Sequence, residues 1–458
     1  MKLTFLLFLT TLALGCKQVE EPQPVESILF ADVTIVDVVN GKLREHQYVK
    51  VDSGKISRIS SEIPEGIDFK TTIDGKGKYL LPGLAEMHAH IPSPPVSKES
   101  LEETLFLYLS NGITTIRGML GHPSHLELKK LASRGEVLSP RIYTSSPSLN
   151  GNTVRTPEEA KSKVRQYQKD GYDFLKIHPG IQRPVFDALV ATAREVEIPF
   201  AGHVPVDVGI HHALQSGYAT IDHVDGFLEG LVPENKKVNP RDNGFFGYNF
   251  TPLADSSLIP SLVDQARKNK VWIVPTQSLF ERWFAPVSAD RLLNEPEMVY
   301  MPVTTLSNWK IRKEQSTGEG TGFNEAQWDQ FHRIRQQLIR ALNDGGHGML
   351  LGSDAPQLFN VPGFSIHHEI DGMEAAGMNN LDILQSGTIN PAIFFGEEDS
   401  FGQIKEGLAA DLLLLGENPL EDLDALKQLK GVMVRGQWLD KKTIDKKLKV
   451  LASHVKEQ

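Results

Sequence analysis

The chain has 458 residues, of which 40% are hydrophobic and 23% are charged, and its formal net charge is -10. This length exceeds one small core and suits a large barrel with a small satellite domain. The acidic balance argues against nucleic acid as a partner, because phosphate binding requires a basic face. A single cysteine, Cys16, excludes an intrachain disulfide.

The first 16 residues have the pattern of a bacterial lipoprotein signal. Met1-Lys2 precedes an apolar run over residues 3–14, which is shorter than the roughly 20 apolar residues of a membrane-spanning helix. Ala13-Leu14-Gly15-Cys16 then resembles a lipobox, with an ordinary cleaved signal or a buried N-terminal helix as the alternatives. The sequence therefore predicts a chain anchored to a bacterial cell envelope by a lipid on Cys16, on the periplasmic or outer-membrane face, with residues 17–26 as a tether.

Two segments have the pattern of β-structure. Residues 27–80 contain short β-branched and aromatic runs separated by the turn signals Asn40-Gly41 and Ser53-Gly54. Similar apolar runs return in residues 401–445. We expect these two segments to pair into one small β-sandwich domain.

Between them, residues 81–400 alternate apolar runs with helical patterns. Eight such units predict an α/β fold with a closed (β/α)₈ TIM-like barrel. Two stretches, 230–260 and 281–325, fit no regular element, and we expect them to shape the mouth of the site. The strand candidates are Leu80–Ala85, Ile113–Ile116, Arg141–Thr144, Phe174–Ile177, Pro199–Ala201, Ala219–Ile221, Val271–Val274 and Met349–Leu351.

The end of the first barrel strand carries a candidate metal motif. Residues 81–87 are mostly apolar, and His88 and His90 follow. Side chains two apart on a strand share a face, so both imidazoles can reach one metal ion. A lone His-x-His is weak evidence, since a pair of loop histidines has the same pattern.

Later strand ends strengthen the metal hypothesis. His203, His223 and Asp354 each end an apolar run, and Lys176 interrupts one. A charged lysine in such a strand is costly unless it is paired or chemically altered. Catalytic residues of these barrels lie at the carboxyl ends of strands, and imidazole and carboxylate ligands suit zinc, manganese or iron.

The ordered set His-x-His, Lys, His, His, Asp resembles the amidohydrolase superfamily. The flanking text is similar to its imidazolonepropionase-like and Xaa-Pro-type dipeptidase branch. The likeness covers almost everything after residue 27. It rests on the motifs Leu81-Pro82-Gly83-Leu84, Gly112-Ile113-Thr114-Thr115-Ile116-Arg117, Leu351-Gly352-Ser353-Asp354, Thr388-Ile389-Asn390-Pro391-Ala392 and the run from Gly402 to Leu412.

The resemblance implies a division of ligands between two ions. His88, His90 and Asp354 would bind one metal, His203 and His223 the second, and a carboxylated Lys176 would bridge them. The cofactor would be two Zn²⁺, or one if Lys176 is an unmodified structural lysine.

Three further residues are candidates for positions near the substrate. His367 matches a family position near substrate, with a catalytic or binding role, and a helix-surface histidine is the alternative. His178 could face the pocket. Arg117 could bind a substrate carboxylate, or it could form a structural salt bridge.

The implied activity is hydrolysis of an amide bond, in a dipeptide, an N-acyl amino acid or a cyclic amide, by a metal-activated hydroxide with Asp354 as proton shuttle. A lactonase or phosphoesterase, a deaminase and a non-catalytic envelope binding protein are the alternatives. The segment Val204-Pro205-Val206 lacks the glutamate that deaminases place just after the fifth-strand histidine. The expected partner is a small-molecule substrate, and a homo-oligomer is possible.

Overall fold

A computed structural model describes residues 27–64 and 69–457 of the chain. The predicted signal segment, the tether and the lipidation site Cys16 lie outside these residues, so the lipid anchor stays a prediction. Among the described helices, none combines the length and apolar character that crossing a bilayer requires.

The segments that flank the barrel form one connected mixed sheet, which is the expected small β-domain. Strand β1 lies near the centre and pairs with β2 in an antiparallel register and with β4 and β5 in parallel. The C-terminal strand β13 pairs antiparallel with β5, and so the two distant segments join. The strands are β1 (Ile28–Asp37), β2 (Lys42–Asp52), β3 (Lys55–Ser60), β4 (Thr71–Asp74), β5 (Tyr79–Pro82), β13 (Leu412–Leu415), β14 (Leu429–Val434) and β15 (Gln437–Asp440).

The predicted barrel is confirmed. Seven parallel strands follow one another in chain order, each paired with its neighbour. Parallel bridges from Met349 to Ile273 and from Ala355 to Ala89 place the eighth segment between the last strand and the first. The seven strands are β6 (Leu84–Ala89), β7 (Ile113–Gly118), β8 (Arg141–Leu149), β9 (Phe174–Ile177), β10 (Phe200–Gly202), β11 (Thr220–Asp222) and β12 (Trp272–Val274).

The helices of the barrel bury one face each. In α4, for example, Val185, Phe186, Leu189 and Val190 are buried and share one side of the helix. The helices are α1 (Lys98–Ser110), α2 (Pro123–Ser133), α3 (Pro157–Asp170), α4 (Arg183–Glu195), α5 (Ile210–Gln215), α6 (Ile259–Lys268), α7 (Gln277–Trp283), α8 (Ala289–Leu293), α9 (Val303–Thr317), α10 (Glu325–Gly345), α11 (Ser365–Ala375), α12 (Asn380–Gly387), α13 (Ile389–Phe395) and α14 (Lys441–Glu457).

The first strand candidate, Leu80–Ala85, is divided between two sheets. Its first half belongs to β5 of the small domain, and its second half opens β6 of the barrel. Gly83 is the junction, and a Cβ atom there would lie 2.0 Å from Thr114 Oγ1. The continuous apolar run concealed this change because both strands are buried.

The two stretches without a clear pattern differ in the structure. Residues 230–260 form short 3₁₀ turns and the start of α6. The expectation of no regular element was wrong for 281–325, which contains α8 and α9. Helix α9 escaped notice because only Trp309 and Lys313 are buried along its length, and it has little apolar periodicity.

Candidate metal centre and active site

Three of the predicted ligands converge at the mouth of the barrel. His90 Nε2 lies 2.5 Å and His88 Nε2 lies 3.4 Å from the same oxygen, Asp354 Oδ1. The barrel backbone sets this approach, because Asp354 N donates to the His88 carbonyl and His90 N donates to the Ala355 carbonyl. The three side chains each offer an atom within one 4.8 Å group, which suits a single cation.

His203 and His223 complete a ring of imidazoles beside this group. The His223 ring centroid lies 4.6 Å from those of both His88 and His203. The Nδ1 atom of His203 contacts Asp225 Oδ2 at 3.0 Å, and Nδ1 of His223 contacts Thr276 Oγ1 at 2.8 Å. With Nδ1 held in this way, Nε2 of each ring is left for a metal, which is the usual arrangement of histidine ligands.

The backbone at these strand ends has an unusual conformation. His223, Thr276 and Asp354 have φ angles of +67°, +45° and +66°. Residues other than glycine rarely adopt the left-handed region, and such strain is concentrated at functional sites. Gly202 precedes His203 with φ of +124°, and a Cβ there would lie 2.4 Å from the Ile177 carbonyl oxygen. These turns aim the side chains across the barrel axis.

Lys176 lies in the centre of the barrel beneath the imidazoles and is fully buried. Its nearest charged neighbour is Asp222, with Nζ and Oδ2 4.0 Å apart. Burial lowers the pKa of Lys176, although the carboxylates of Asp222 and Asp354 oppose the shift. A lowered pKa favours the neutral amine over the ammonium ion.

Burial also shifts the pKa of His88 and His223, the two innermost histidines. It lowers the pKa of His88 and of His223 well below the ordinary value, and the nearby Lys176 and the other imidazoles lower it further. Both rings are therefore neutral at physiological pH. A neutral imidazole has the free electron pair that a metal ligand requires.

Unpartnered atoms within the cluster fit a bound cation. Among the described residues, Lys176 Nζ is buried without a hydrogen-bond partner, and His88 Nδ1 and Asp222 Oδ2, which lie 3.2 Å apart, form no other hydrogen bond. Buried polar atoms are rarely left unpaired, and those that are need an explanation such as an ion. The donor set of imidazoles and a carboxylate is one that divalent metals prefer. The residues present therefore fit a divalent metal centre.

Asp222 is a central residue that the sequence interpretation did not single out. Its Oδ2 lies 3.2 Å from His88 Nδ1, and its Oδ1 accepts a hydrogen bond from Arg117. Burial raises the pKa of Asp222, but the charges of Arg117 and Lys176 outweigh burial and lower it overall. Asp225 and Thr276 were also missed, because nothing local in the sequence indicates that they orient a histidine.

Glu86 was also missed, and it joins the first and last barrel segments. Its Oε1 accepts hydrogen bonds from the backbone N–H groups of His88 and Ser353, at 3.0 and 2.8 Å, and its Oε2 accepts one from Ser353 Oγ at 2.6 Å. Burial raises the pKa of Glu86 to about 8, against the effect of these hydrogen bonds. In the sequence, its position two residues before His88 was the one feature that could have indicated this role for Glu86.

Arg117 does not reach the substrate side of the site. Its Nε donates to the Met87 carbonyl at 2.7 Å, while Nη1 and Nη2 donate to Thr220 Oγ1 and Asp222 Oδ1, both at 3.1 Å. The guanidinium is fully buried. The expectation of a substrate-carboxylate contact was wrong, because Thr220 Oγ1 and Asp222 Oδ1 already accept the hydrogen bonds of Nη1 and Nη2. The structural salt bridge is the reading that the structure supports.

The other two predicted substrate residues differ in position. The ring centroid of His178 lies 5.1 Å from that of His203, and its Nδ1 contacts Ser148 Oγ at 2.6 Å, so it borders the cluster. His367 Nε2 instead faces Asn111 Oδ1 at 3.3 Å, beyond the carboxyl end of α1. Asn111 precedes β7, so this contact lies at the opposite end of the barrel strands. The structure does not bring His367 to the cluster, and its predicted role near substrate is corrected to a contact between helices.

The 230–260 stretch supplies an aromatic wall, as its predicted place at the mouth suggests. The Phe246 ring centroid lies 5.9 Å from that of His203 and 5.6 Å from that of His223. Phe246 has a φ of +47° and stacks edge-on against Phe280. An apolar ring over the imidazoles excludes water from one side of the cluster.

The fold and the cluster together define a (β/α)₈-barrel protein with a candidate divalent metal centre at the carboxyl ends of its strands. A sequence model of the amidohydrolase family matches residues 79–439, and the chain belongs to this family. It is therefore an enzyme, a hydrolase of carbon–nitrogen bonds.

Comparison with individual proteins agrees with this assignment. Ochratoxinase of Aspergillus niger is 28% identical over 398 residues, which cover 81% of this chain and 77% of the relative. The structure of a bottromycin amidohydrolase superposes with a TM-score of 0.70 at 21% identity, covering 95% of this chain and 91% of that one. A Xaa-Pro dipeptidase structure gives a TM-score of 0.63 at 19% identity, covering 90% and 100%. At these identities the two structures show the shared fold.

Proposed function

We propose that the chain hydrolyses the amide bond of a small N-acyl amino acid or dipeptide at the His/Asp cluster. The observation that carries this proposal is the convergence of His88, His90 and Asp354. These residues come from the first and last segments of the barrel, and each supplies a ligand atom within 4.8 Å of the others. The names of the relatives support the substrate class, since a Xaa-Pro dipeptidase acts on a dipeptide.

His88, His90 and Asp354 would hold one cation, and His203 with His223 would hold a second. We propose zinc as the metal, with Lys176 carboxylated as the bridge between the ions. The unpartnered Nζ and the lowered pKa of Lys176 support this, because a neutral amine is the form that reacts with CO₂. When bound, such ions polarise the scissile carbonyl and lower the pKa of water.

Asp354 is the candidate acid–base group. It takes a proton from the attacking water at Oδ1 or Oδ2 and delivers it to the leaving nitrogen. Gln357 Nε2 donates to Oδ2 at 3.1 Å and fixes the rotation of the carboxylate. Phe246 and His178 border the substrate and limit the entry of bulk water.

The test is an Asp354→Asn variant, assayed against a panel of dipeptides and N-acyl amino acids. We expect turnover to fall by about 10²–10⁴-fold, the usual contribution of a positioned acid–base group, because asparagine cannot carry the proton. The measurements are kcat, substrate affinity and metal content by mass spectrometry. An Asp344→Asn variant, in which an exposed carboxylate paired with Arg340 is changed, is the matched control. Turnover by Asp354→Asn equal to that of the control would refute the role of Asp354.

We also propose that the protein is held in a bacterial cell envelope by a lipid on Cys16. The apolar run and lipobox-like Ala13-Leu14-Gly15-Cys16 support this. A Cys16→Ser variant should move from the membrane fraction to the soluble fraction. Continued membrane association of that variant would contradict the lipid anchor.

A further inference from the structure

A polar cavity of about 490 Å³ lies between helix α9 and the loop that follows Asp354. The loop contributes Pro356, Gln357 and Leu358 to one wall. Helix α9 forms the other wall and belongs to the insertion after the seventh strand. In barrels of this kind, such loops at the carboxyl ends of the strands surround the substrate.

Helix α9 turns one polar stripe toward this cavity. Thr305, Asn308, Arg312 and Gln315 all line it, and their spacing of three or four residues places them on one helix face. Between them, the largely buried Trp309 also borders the cavity and packs against Phe359, with ring centroids 5.7 Å apart.

The opposite side of the helix is anchored. Lys313 is buried, and its Nζ donates to the carbonyl oxygens of Trp283 at 3.1 Å and Ala285 at 2.9 Å. A buried ammonium group with two carbonyl partners holds the helix against α7 and the residues after it. The polar stripe therefore has a defined orientation and is not a freely moving surface.

The cavity is one side chain away from the acid–base group. Gln357 lines the cavity and donates from Nε2 to Asp354 Oδ2. Gln357 is thus shared by the cavity and the acid–base carboxylate. This shared side chain places the cavity next to the residue that would act on the scissile bond.

The charge of the cavity lining indicates which chemical group of the substrate would bind there, away from the scissile bond. Of the described side chains that line the cavity, Arg312 alone is charged. Arg312 is exposed, and its guanidinium forms no ion pair or side-chain hydrogen bond with another described residue. Lys310 on the same helix differs, because its Nζ contacts Asp290 Oδ1 at 2.6 Å. A guanidinium without a carboxylate partner, beside amide and hydroxyl donors, is the arrangement that binds a carboxylate in a bidentate manner.

We propose that this cavity binds the free carboxylate of the substrate and that Arg312 determines the preference for anionic amides. The inference rests on the proposed amide hydrolysis and assigns the residue that selects the substrate. The buried Arg117, which the sequence suggested for this task, is replaced by an arginine from the loop insertion.

The test compares each N-acyl amino acid that the enzyme accepts with its primary amide, which lacks the negative charge. The ratio of kcat/KM for acid over amide is measured in the wild type, Arg312→Ala and Arg312→Lys. We expect the ratio to fall by about 10–100-fold in Arg312→Ala, through KM rather than kcat, and to recover in part in Arg312→Lys. Lys310→Ala is the matched control and should leave the ratio unchanged.

An unchanged ratio in Arg312→Ala, with hydrolysis intact, would overturn the inference and leave the proposed function standing. If the metal-loaded wild type hydrolyses neither compound, the proposed function fails instead. In that case, calorimetric binding of N-acetylphenylalanine still decides the inference. Weaker binding to Arg312→Ala than to wild type supports the carboxylate site, and equal binding refutes it.

Discussion

The barrel interior holds two buried basic side chains that differ in their surroundings. Arg117 has a hydrogen-bond partner for each of Nε, Nη1 and Nη2, and its guanidinium lies 5.3 Å from the ring centroids of both Phe174 and Phe394. Lys176, two strands away, has no hydrogen-bond partner among the described residues for its Nζ. Both approach Asp222, at 3.1 Å for Arg117 and 4.0 Å for Lys176.

This difference distinguishes residues that stabilise the fold from residues of the candidate functional site. A buried charge that is fully paired stabilises the fold around it, and removing it leaves its partner uncompensated. A buried basic group without a hydrogen-bond partner is costly to the fold and is retained where another group completes its interactions. Arg117 therefore holds Asp222 in place. Lys176 is instead a residue whose interactions a bound ligand would complete.

The largest expected effect is that of Lys176→Met on activity. Methionine retains the apolar stem but cannot bind or bridge a metal. Even the outer partners of metal ligands contribute 10–100-fold to metal affinity or activity, so loss of a ligand should lower kcat/KM by more than about 100-fold. Metal content should fall to one equivalent or less. Retention of two equivalents would contradict a bridging role for Lys176.

In the metal-free protein, the same Lys176→Met variant should unfold at a denaturant concentration equal to or above that of the wild type. The reason is that the substitution removes an unpaired buried amine without opening a large cavity. Lys161→Met, which changes an exposed lysine, is the control. A clear loss of stability in metal-free Lys176→Met would contradict the claim that Lys176, unlike Arg117, does not stabilise the metal-free fold.

The next effect concerns Arg117→Met in the same metal-free state. Here Asp222 would be left as a buried carboxylate without its guanidinium, and breaking a buried pair of this kind costs about 3–5 kcal/mol. Urea unfolding monitored by circular dichroism measures the loss. Arg165→Met, at an exposed ion pair with Glu195, should leave the midpoint unchanged. Equal midpoints for Arg117→Met and this control would show that Arg117 is not part of the scaffold.

Much of the candidate site was predictable because the candidate metal ligands of this barrel directly follow apolar strands. His88, His90, His203, His223 and Asp354 each end such a run, and the closure of the barrel brings those ends together. Lys176 was identifiable because a lysine within a buried strand conflicts with its surroundings. These signals are local, and so they survive in the sequence alone.

Other residues had no local signal. Asp222 and Arg117 meet only because β7 and β11 face each other across the barrel, 105 positions apart in the chain. His367 was assigned to the site from a family position, but in the structure it faces Asn111, which directly follows α1. The cavity beside Arg312 depends on how α9 docks on the loop after Asp354, and α9 itself carries little apolar periodicity.

By itself, the amino-acid sequence determined the alternation of strands and helices, the two flanking β-segments and the chemical types of the candidate metal ligands. These properties follow from hydrophobic periodicity and from the position of polar residues at strand ends. Only the tertiary structure decided which buried charges are paired, which are left for a ligand, and which arginine is available to a substrate. Pairing depends on distances of 3–4 Å between segments far apart in the chain, and no local pattern encodes them.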